Sequence, residues 1–173
     1  FKGSEDFVGQ IIHPQEWNST IDYENKKVAV IGSGATAVTL VPQIAKKASH
    51  VTMIQRSPTY IASVPSKYKI LHLLNYISPK FGYKIIRFTN ILRQRRIYRR
   101  ARRSPELVKD YLLGLVREEL PDFDIEKHFT PSYNPWEQRL CLAPDSDFFE
   151  SIKQKRVSIE TVSYTHLRAH ETG

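Results

Sequence analysis

The stretch Lys27-Val28-Ala29-Val30-Ile31-Gly32-Ser33-Gly34-Ala35-Thr36-Ala37 decides the fold. Its first five residues are a mostly apolar run of strand formers, which predicts a parallel strand covered on both faces. The glycines end this run, and residues 35–48 place apolar side chains at helical spacing. Residues 51–55 predict a second buried strand. Strand, glycine turn, helix and strand in this order predict a βαβ unit of a Rossmann-type α/β fold.

The glycine turn between the first strand and the helix has the form G-x-G-x-x-A, and its members are Gly32, Ser33, Gly34, Ala35, Thr36 and Ala37. The first glycine permits a tight turn, the second lets a pyrophosphate approach the backbone, and the small last residue lets the helix pack against the strand. The helix N-terminus offers unpaired N–H groups and the positive end of its dipole to phosphates. The turn therefore predicts a dinucleotide site, and a turn kept only for packing is the alternative.

The residues after the second strand indicate which dinucleotide is bound. NAD-binding units usually carry an acid here that accepts hydrogen bonds from the ribose 2′-hydroxyl, whereas this chain has Arg56 and Ser57. No acid occurs from Asn25 to Pro105, a span that holds 17 lysines and arginines. A carboxylate would repel a 2′-phosphate, whereas arginine can bind it with two N–H groups. We therefore predict NADP(H), with Arg56 as the main 2′-phosphate ligand and Ser57 as a second donor; a surface role for Arg56 is the alternative.

Length and composition limit the other classes of protein. The chain has 173 residues, enough for one domain with a core but too few for two full nucleotide domains. Its single cysteine, Cys141, excludes an internal disulfide framework and favours a reducing, cytoplasmic compartment. No apolar run approaches the roughly 20 residues of a membrane span. His166 and His170 have the spacing of metal ligands on a helix, but they lack a third ligand, so no metal site is predicted.

The chain is predicted to divide into five segments. These are a linker (1–25), the NADP-binding βαβ unit (26–64), a helical insertion (65–130), a return to the nucleotide domain (131–162) and a probable foreign tail (163–173). Helices are predicted at 70–77, 83–103, 105–120 and 145–155, a strand at 157–162, and irregular structure at 121–144. The tail resembles translated sequencing-adapter sequence and is excluded from the fold prediction.

The stretch from Lys80 to Arg103 contains ten basic residues and no acid. A solvated helix face is the plainest interpretation. An amphipathic basic helix could also lie on an anionic membrane, which would make a cytoplasmic protein membrane-associated. Interleaved aromatic residues (Tyr83, Phe88 and Tyr98) would suit nucleic acid, which ranks last. No nucleic-acid partner is therefore predicted.

A second motif precedes the βαβ unit. The segment Phe7-Val8-Gly9-Gln10-Ile11-Ile12-His13-Pro14-Gln15-Glu16-Trp17 matches F-x-G-x-x-x-H-x-x-x-W, with Phe7, Gly9, His13 and Trp17 at the fixed positions. It resembles the fingerprint of Baeyer–Villiger monooxygenases, and residues 1–162 are similar to the bacterial ethionamide-activating monooxygenase group. In the family this segment links two nucleotide domains and has no direct chemical role. Taken alone, a histidine between two aromatic residues predicts a packed core histidine.

The resemblance implies an FAD-dependent monooxygenase that uses NADPH and O₂ on a small ketone or sulfur compound. It implies that Arg139 is the active-site arginine, a permanent cation that stabilises negative charge during oxygen transfer. Gln138 stands where many relatives have lysine, so it is predicted as a neutral contact to NADP. The alternative for Arg139 is a structural pairing with Glu137 or Asp145.

The resemblance also implies that the chain is an internal fragment. The FAD-binding half of the family begins with its own glycine-rich turn upstream of the fingerprint, whereas this chain has one such turn, assigned to NADP. FAD would therefore be held mainly by residues outside this chain, and the isolated fragment is expected to be inactive. An NADP-binding, reductase-like module without flavin is the alternative, which the fingerprint disfavours.

Overall fold

The computed structural model describes residues 4–18, 20–66 and 78–162. These residues form an α/β structure with parallel sheets, preceded by two short 3-10 turns at Ser4–Asp6 and Pro14–Glu16. The strands are β1 (Lys27–Ile31), β2 (His50–Gln55), β3 (Tyr60–Val64), β4 (Leu140–Pro144) and β5 (Val157–Thr161). The helices are α1 (Ala35–Ile44), α2 (Pro79–Arg103), α3 (Pro105–Glu119), α4 (Ile125–Phe129) and α5 (Asp147–Lys153). The helix predicted at 70–77 and the tail at 163–173 lie outside these residues.

The first sheet has the order β1-β2-β5, with both pairs parallel. β1 and β2 run in register from Lys27 opposite His50 to Ile31 opposite Ile54, with α1 between them in the chain. The predicted strand–helix–strand order is therefore confirmed. β2 is central because β5 pairs with its other edge, and Val51, Met53 and Gln55 on β2 are buried. The carboxyl ends of β1, β2 and β5 consequently meet at one edge of this sheet.

Helix α1 packs its apolar face on the structure through Ala37, Val38, Val41 and Ile44. It ends at Ile44, earlier than the predicted Ala48. Pro42 lies in its last turn, where the missing N–H removes one backbone hydrogen bond. The residues that follow form a tighter turn, in which the Lys47 amide donates to the carbonyl of Ile44, three residues earlier. The helix therefore ends two residues after Pro42.

The prediction that β1 is covered on both faces is wrong for the described residues. Lys27, Ala29 and Ile31 are exposed, whereas Val28 and Val30 are half-buried. α1 lies against β1, and Ile31 on the opposite face keeps 58% of its surface exposed. An apolar run therefore identified the strand but not how many of its faces are covered.

A second parallel sheet, β3–β4, was not predicted. β3 pairs with β4 from Tyr60 opposite Leu140 to Val64 opposite Pro144. The irregular structure predicted for residues 121–144 is therefore wrong in two places, β4 and the short helix α4. α1 contacts strands of both sheets, so the sheets share one core. Phe129 on α4 and Phe148 and Phe149 on α5 fill this core with tilted or edge-on ring contacts.

Helices α2 and α3 follow one another in the chain between β3 and β4, and they contact each other. α2 begins at Pro79, four residues before the predicted start, and proline is well suited to a first helical turn. α3 buries Val108, Leu112, Leu113 and Val116 at helical spacing and contacts β3. None of the helices in the described part of the chain is both long and apolar enough to cross a membrane.

Candidate functional site

The glycine turn lies at the carboxyl end of β1. Gly32 has a φ of +132°, a conformation that L side chains rarely adopt, and its amide donates to the Ile54 carbonyl at 2.8 Å. A Cβ built on Gly32 or Gly34 would meet no atom of the chain within 4 Å. A side chain at Gly32 or Gly34 would therefore not clash with any other part of the described chain. The glycines leave open space beside the backbone.

The first turn of α1 faces this space with an uncapped N-terminus. Gly34 is the N-cap, and the first backbone bond of the helix runs from the Val38 amide to the Gly34 carbonyl at 3.0 Å. The amides of Ala35, Thr36 and Ala37 precede that bond, and the first turn has no acidic residue. Such a turn suits an anion because its N–H groups need acceptors and its dipole is positive.

Ser33 connects the glycine turn to the loop that follows β2. Its side chain is 5% exposed, and its Oγ donates to the Ser57 carbonyl at 3.1 Å. The Ser33 carbonyl in turn lies 3.9 Å from the buried Cys141 thiol, whose pKa is raised by burial. The Ser33 hydroxyl and carbonyl therefore both face partners within the chain.

The predicted 2′-phosphate residues lie beside this turn. Arg56 follows the last residue of β2 and is exposed, and Ser57 is half-buried. The preceding Gln55 is 2% exposed, and its Nε2 donates to the His128 carbonyl and the Thr161 hydroxyl, both at 2.8 Å. This anchor fixes the chain directly before Arg56. The guanidinium therefore extends into solvent from a rigid base, on the glycine side of the sheet.

The anchor continues into the ring of His128. Its Nδ1 lies 2.9 Å from the Thr161 Oγ1, and the ring contacts Phe123 at a centroid distance of 5.4 Å. Burial lowers the pKa of His128, so the ring is neutral at neutral pH. Sequence inspection missed this group, because Gln55, His128 and Thr161 are distant along the chain.

Arg139 and Gln138 immediately precede β4, and both are exposed. The Arg139 carbonyl accepts hydrogen bonds from the Tyr133 hydroxyl at 2.9 Å and the Thr59 hydroxyl at 3.3 Å. Thr59 follows the Arg56 loop, so these bonds bring Arg139 near the predicted 2′-phosphate residues. We call Thr59, Tyr60, Tyr133 and Arg139 the carbonyl clamp.

Thr59, Tyr60 and Tyr133 of the clamp are buried and closely packed. The Thr59 and Tyr133 hydroxyl oxygens are 3.0 Å apart, and the Tyr60 hydroxyl donates to the Tyr133 carbonyl at 2.8 Å. The Tyr60 and Tyr133 rings meet edge to face at 5.6 Å. Burial raises the pKa of Tyr60 to about 12, so its hydroxyl stays protonated and can donate. The sequence analysis missed this group, because it depends on the pairing of β3 with β4.

The two acids considered as partners of Arg139 are engaged elsewhere. Glu137 accepts from the amide and the side chain of Asn134, at 3.0 and 3.1 Å, and these bonds lower its pKa. Asp145 accepts from the amide of Ser66 at 2.8 Å and also from its hydroxyl. These contacts favour an arginine that presents its charge outward.

The fingerprint segment lies on the surface. Phe7 is 60% exposed and its ring lies over Gly9, where a Cβ would come within 2.6 Å of it. Trp17 contacts the ring of Tyr23 at 5.4 Å. His13 is exposed, and its Nδ1 accepts from the Gln15 amide at 3.4 Å as the cap of a 3-10 turn. The prediction of a packed core histidine is wrong, because this segment forms a surface turn with a local hydrogen bond.

Residues 4–18, 20–66 and 78–162 contain no group of three or more His, Cys, Asp or Glu side chains arranged to hold an ion. His166 and His170 lie beyond these ranges.

Comparison with known proteins identifies the family. The family described as flavin-binding monooxygenase-like matches residues 1–85. FAD-containing monooxygenase EthA of Mycobacterium tuberculosis is 49% identical over 93% of this chain and 34% of its own length. Probable FAD-binding monooxygenase AlmA of Acinetobacter baylyi is 48% identical over 93% of this chain and 33% of its own. The chain belongs to the flavin-binding monooxygenase-like family.

The resemblance inferred from the fingerprint and the glycine turn is thus confirmed. Among solved structures, oxidized steroid monooxygenase bound to NADP matches 98% of this chain and 38% of its own chain, with a TM-score of 0.71 and 17% identity. At that identity the likeness concerns the fold alone. The chain spans about a third of the length of the curated flavin-binding monooxygenase-like relatives it matches.

Proposed function

We propose that this chain is the NADP-binding portion of an FAD-dependent monooxygenase, with residues 26–64 as a Rossmann-type unit. One arrangement carries the proposal. The open glycine turn, the uncapped first turn of α1 and Arg56 lie together at the carboxyl ends of β1 and β2. Ligands of open parallel sheets bind outside the carboxyl ends of the strands, which is the edge these groups share.

Each group at this edge has a proposed role toward NADP. The pyrophosphate would lie against the amides of residues 32–37, where the space beside Gly34 admits it. Arg56 would bind the 2′-phosphate through two N–H groups, with Ser57 as a further donor. Gln138 would make a neutral contact from the neighbouring loop. The acid-free span around these residues supports NADP over NAD, since an acid would repel the 2′-phosphate.

The proposed reaction uses NADPH, FAD and O₂ to oxygenate a small ketone, as in Baeyer–Villiger oxidation, or a sulfur compound. When bound, FAD supplies the redox chemistry, accepting a hydride from NADPH and activating O₂. We expect FAD to be held mainly by residues outside this chain, because its single G-x-G-x-x-A turn is proposed for NADP. The isolated chain is therefore proposed to be inactive.

Arg139 is the proposed catalytic residue of this chain. Its guanidinium stays protonated at working pH, so it can stabilise negative charge throughout oxygen transfer. The carbonyl clamp would act on it indirectly. Thr59 and Tyr133 hold the Arg139 carbonyl and thereby fix the point from which the side chain extends. We propose Thr59 and Tyr133 as positioning residues.

The proposal is tested with Arg139→Ala in the full-length enzyme that carries this chain. We expect oxygenated product to fall at least about 100-fold, because a preorganised charge at the reacting centre is lost. Flavin reduction by NADPH, followed by absorbance, should continue at a similar rate. Arg156→Ala, at another exposed arginine, is the control and should leave both measurements unchanged.

Two outcomes would contradict the assignment. Retained oxygenation in Arg139→Ala would exclude the catalytic role. Loss of flavin reduction together with oxygenation would instead assign Arg139 to cofactor binding.

A further inference from the structure

Helix α2 exposes most of its surface, although its residues include many apolar side chains. Gly82 and Ala101 are buried, Ile85, Ile86 and Asn90 are half-buried, and α3 contacts this helix. Every residue from Ile91 to Arg100 is exposed. We call the side of α2 turned away from Ala101 its outer face.

The first half of the outer face is an apolar stripe. Phe81, Ile85, Phe88 and Leu92 follow one another at intervals of four, three and four residues, which places them on one side of a helix. Phe81 is 56% exposed, Phe88 63% and Leu92 37%, and Ile85 between them is half-buried. Single exposed apolar residues are common on surfaces, but a continuous stripe marks a contact site.

The second half of the outer face is basic. Continuing the same helical spacing from Leu92 leads to Arg95, Arg96 and Arg99, all exposed. The stretch 80–103 has ten basic residues and no acid. A partner that covers this face must therefore offer hydrocarbon to the apolar stripe and anionic groups along the whole length of the helix.

We propose that the outer face of α2 docks on an anionic phospholipid membrane. The apolar stripe would enter the boundary between headgroups and acyl chains, and the arginines would bind lipid phosphates, which match the guanidinium fork. Each basic residue near such a surface adds to binding through the negative surface potential. The helix would lie in the plane of the interface.

Charge and shape together favour lipid over nucleic acid. Both partners would satisfy the arginines, and aromatic rings could stack on bases. Ile85 and Leu92 alternate with the phenylalanines in the stripe, however, and these aliphatic side chains have no stacking partner on a nucleic acid. Hydrocarbon suits all four residues. None of the residues named on the outer face has a role in the proposed catalytic function, and the proposal does not rest on that function.

The test uses the full-length enzyme that carries this chain, sedimented with phosphatidylcholine vesicles that contain or lack phosphatidylglycerol. We expect binding only to the anionic vesicles. The triple variant Arg95→Gln/Arg96→Gln/Arg99→Gln should weaken that binding roughly 100-fold. The matched control Lys46→Gln/Lys47→Gln/Lys155→Gln removes the same charge from exposed sites elsewhere and should bind within about twofold of the parent enzyme.

A second pair of variants tests the apolar stripe. Phe81→Ser/Phe88→Ser should weaken vesicle binding about tenfold or more, and this loss should persist at high salt because it is not electrostatic. Tyr111→Ser, at a residue of α3 that is 65% exposed, is the control and should bind normally. Thermal melting of each variant checks that the fold is intact.

Three results would overturn the proposal. The first is a full-length enzyme that ignores anionic vesicles, which would mean that another part of the protein covers the outer face. The second is an equal loss of binding in the arginine variant and the lysine control, which would mean that vesicle binding depends only on the net charge of the protein. The third is tighter binding to an oligonucleotide than to vesicles, lost in the same variants, which would assign the face to nucleic acid.

Discussion

Polar side chains are buried around the carboxyl edge of the β1-β2-β5 sheet, whereas they are exposed on the outer face of α2. Among the described residues, five polar side chains are buried, and four of them (Ser33, Gln55, Thr59 and His128) lie around the glycine turn and the Arg56 loop. All four have hydrogen-bond partners within the chain. On α2 the arginines from 93 to 100 are exposed.

This difference separates a preorganised site from an electrostatic surface. Buried polar groups cost stability unless they are bonded, so a concentration of them at one edge fixes the backbone there. Exposed charges are mobile and are screened by salt. Ligand geometry should therefore matter at the sheet edge, whereas charge density should matter on α2.

The largest expected effect comes from Gly34→Val at the sheet edge. A side chain at this position meets no atom of the chain within 4 Å, so it would project into the space proposed for the pyrophosphate. We expect the NADPH affinity of the full-length enzyme, measured by fluorescence titration, to fall about 100-fold or more. The free energy of unfolding should fall by only about 1 kcal/mol, because valine is a poorer N-cap than glycine but the φ of Gly34 is ordinary.

An unchanged NADPH affinity in Gly34→Val would remove the cofactor from this edge of the sheet. A large loss of stability alongside the loss of affinity would instead make the glycine a requirement of the fold.

The next effect concerns the carbonyl clamp. Tyr133→Phe removes a hydroxyl that donates to the Arg139 carbonyl, whereas Tyr60→Phe removes one that donates to the Tyr133 carbonyl. Both should lower stability by about 1–2 kcal/mol, because Tyr60→Phe deletes one buried hydrogen bond and Tyr133→Phe deletes the bond to Arg139 and the contact with the Thr59 hydroxyl. Only Tyr133→Phe should uncouple the reaction, with the yield of oxygenated product per NADPH falling roughly tenfold.

The comparison of these two variants separates an effect on the position of Arg139 from an effect on the stability of the fold. Equal yields in Tyr133→Phe and Tyr60→Phe would leave the clamp with a purely structural role. This result would not affect the assignment of Arg139 itself, which depends on Arg139→Ala.

The smallest effect is expected at Gly114 in the middle of α3. A Cβ at this position also meets nothing within 4 Å, as at Gly34. Gly114→Ala should therefore raise the free energy of unfolding by about 0.5–1 kcal/mol, because alanine loses less conformational freedom in a helix. Chemical denaturation measures this change. NADPH affinity should stay the same, and a loss of affinity would extend the cofactor site into the helical segment.

The sequence predicted the parts of this molecule that depend on local pattern. The run Lys27–Ile31, the glycines and the spacing of Val38, Val41 and Ile44 gave β1, the turn and α1. The apolar positions within 83–103 predicted a helix, and the basic composition of 80–103 predicted that it has a solvated face. The fingerprint from Phe7 to Trp17 gave the family, which the similarity to EthA and AlmA confirms.

The parts that were missed depend on contacts between distant residues. β3 and β4 are five-residue strands whose partners lie 80 positions apart, so neither has a local signal stronger than that of a loop. The clamp follows from that pairing, because the register that sets Tyr60 opposite Leu140 also brings Thr59 to Arg139. Burial of Gln55 likewise depends on His128 and Thr161, which the sequence does not place beside it.

The ratio of NADPH to NADH affinity tests the central claim most directly. In the full-length enzyme, Arg56→Ala should weaken NADPH binding about 10- to 100-fold and leave NADH binding within about twofold, because only the 2′-phosphate loses a charged partner. Arg156→Ala, at an exposed arginine before β5, should change neither affinity. An Arg56→Ala enzyme that keeps its preference for NADPH would contradict the account.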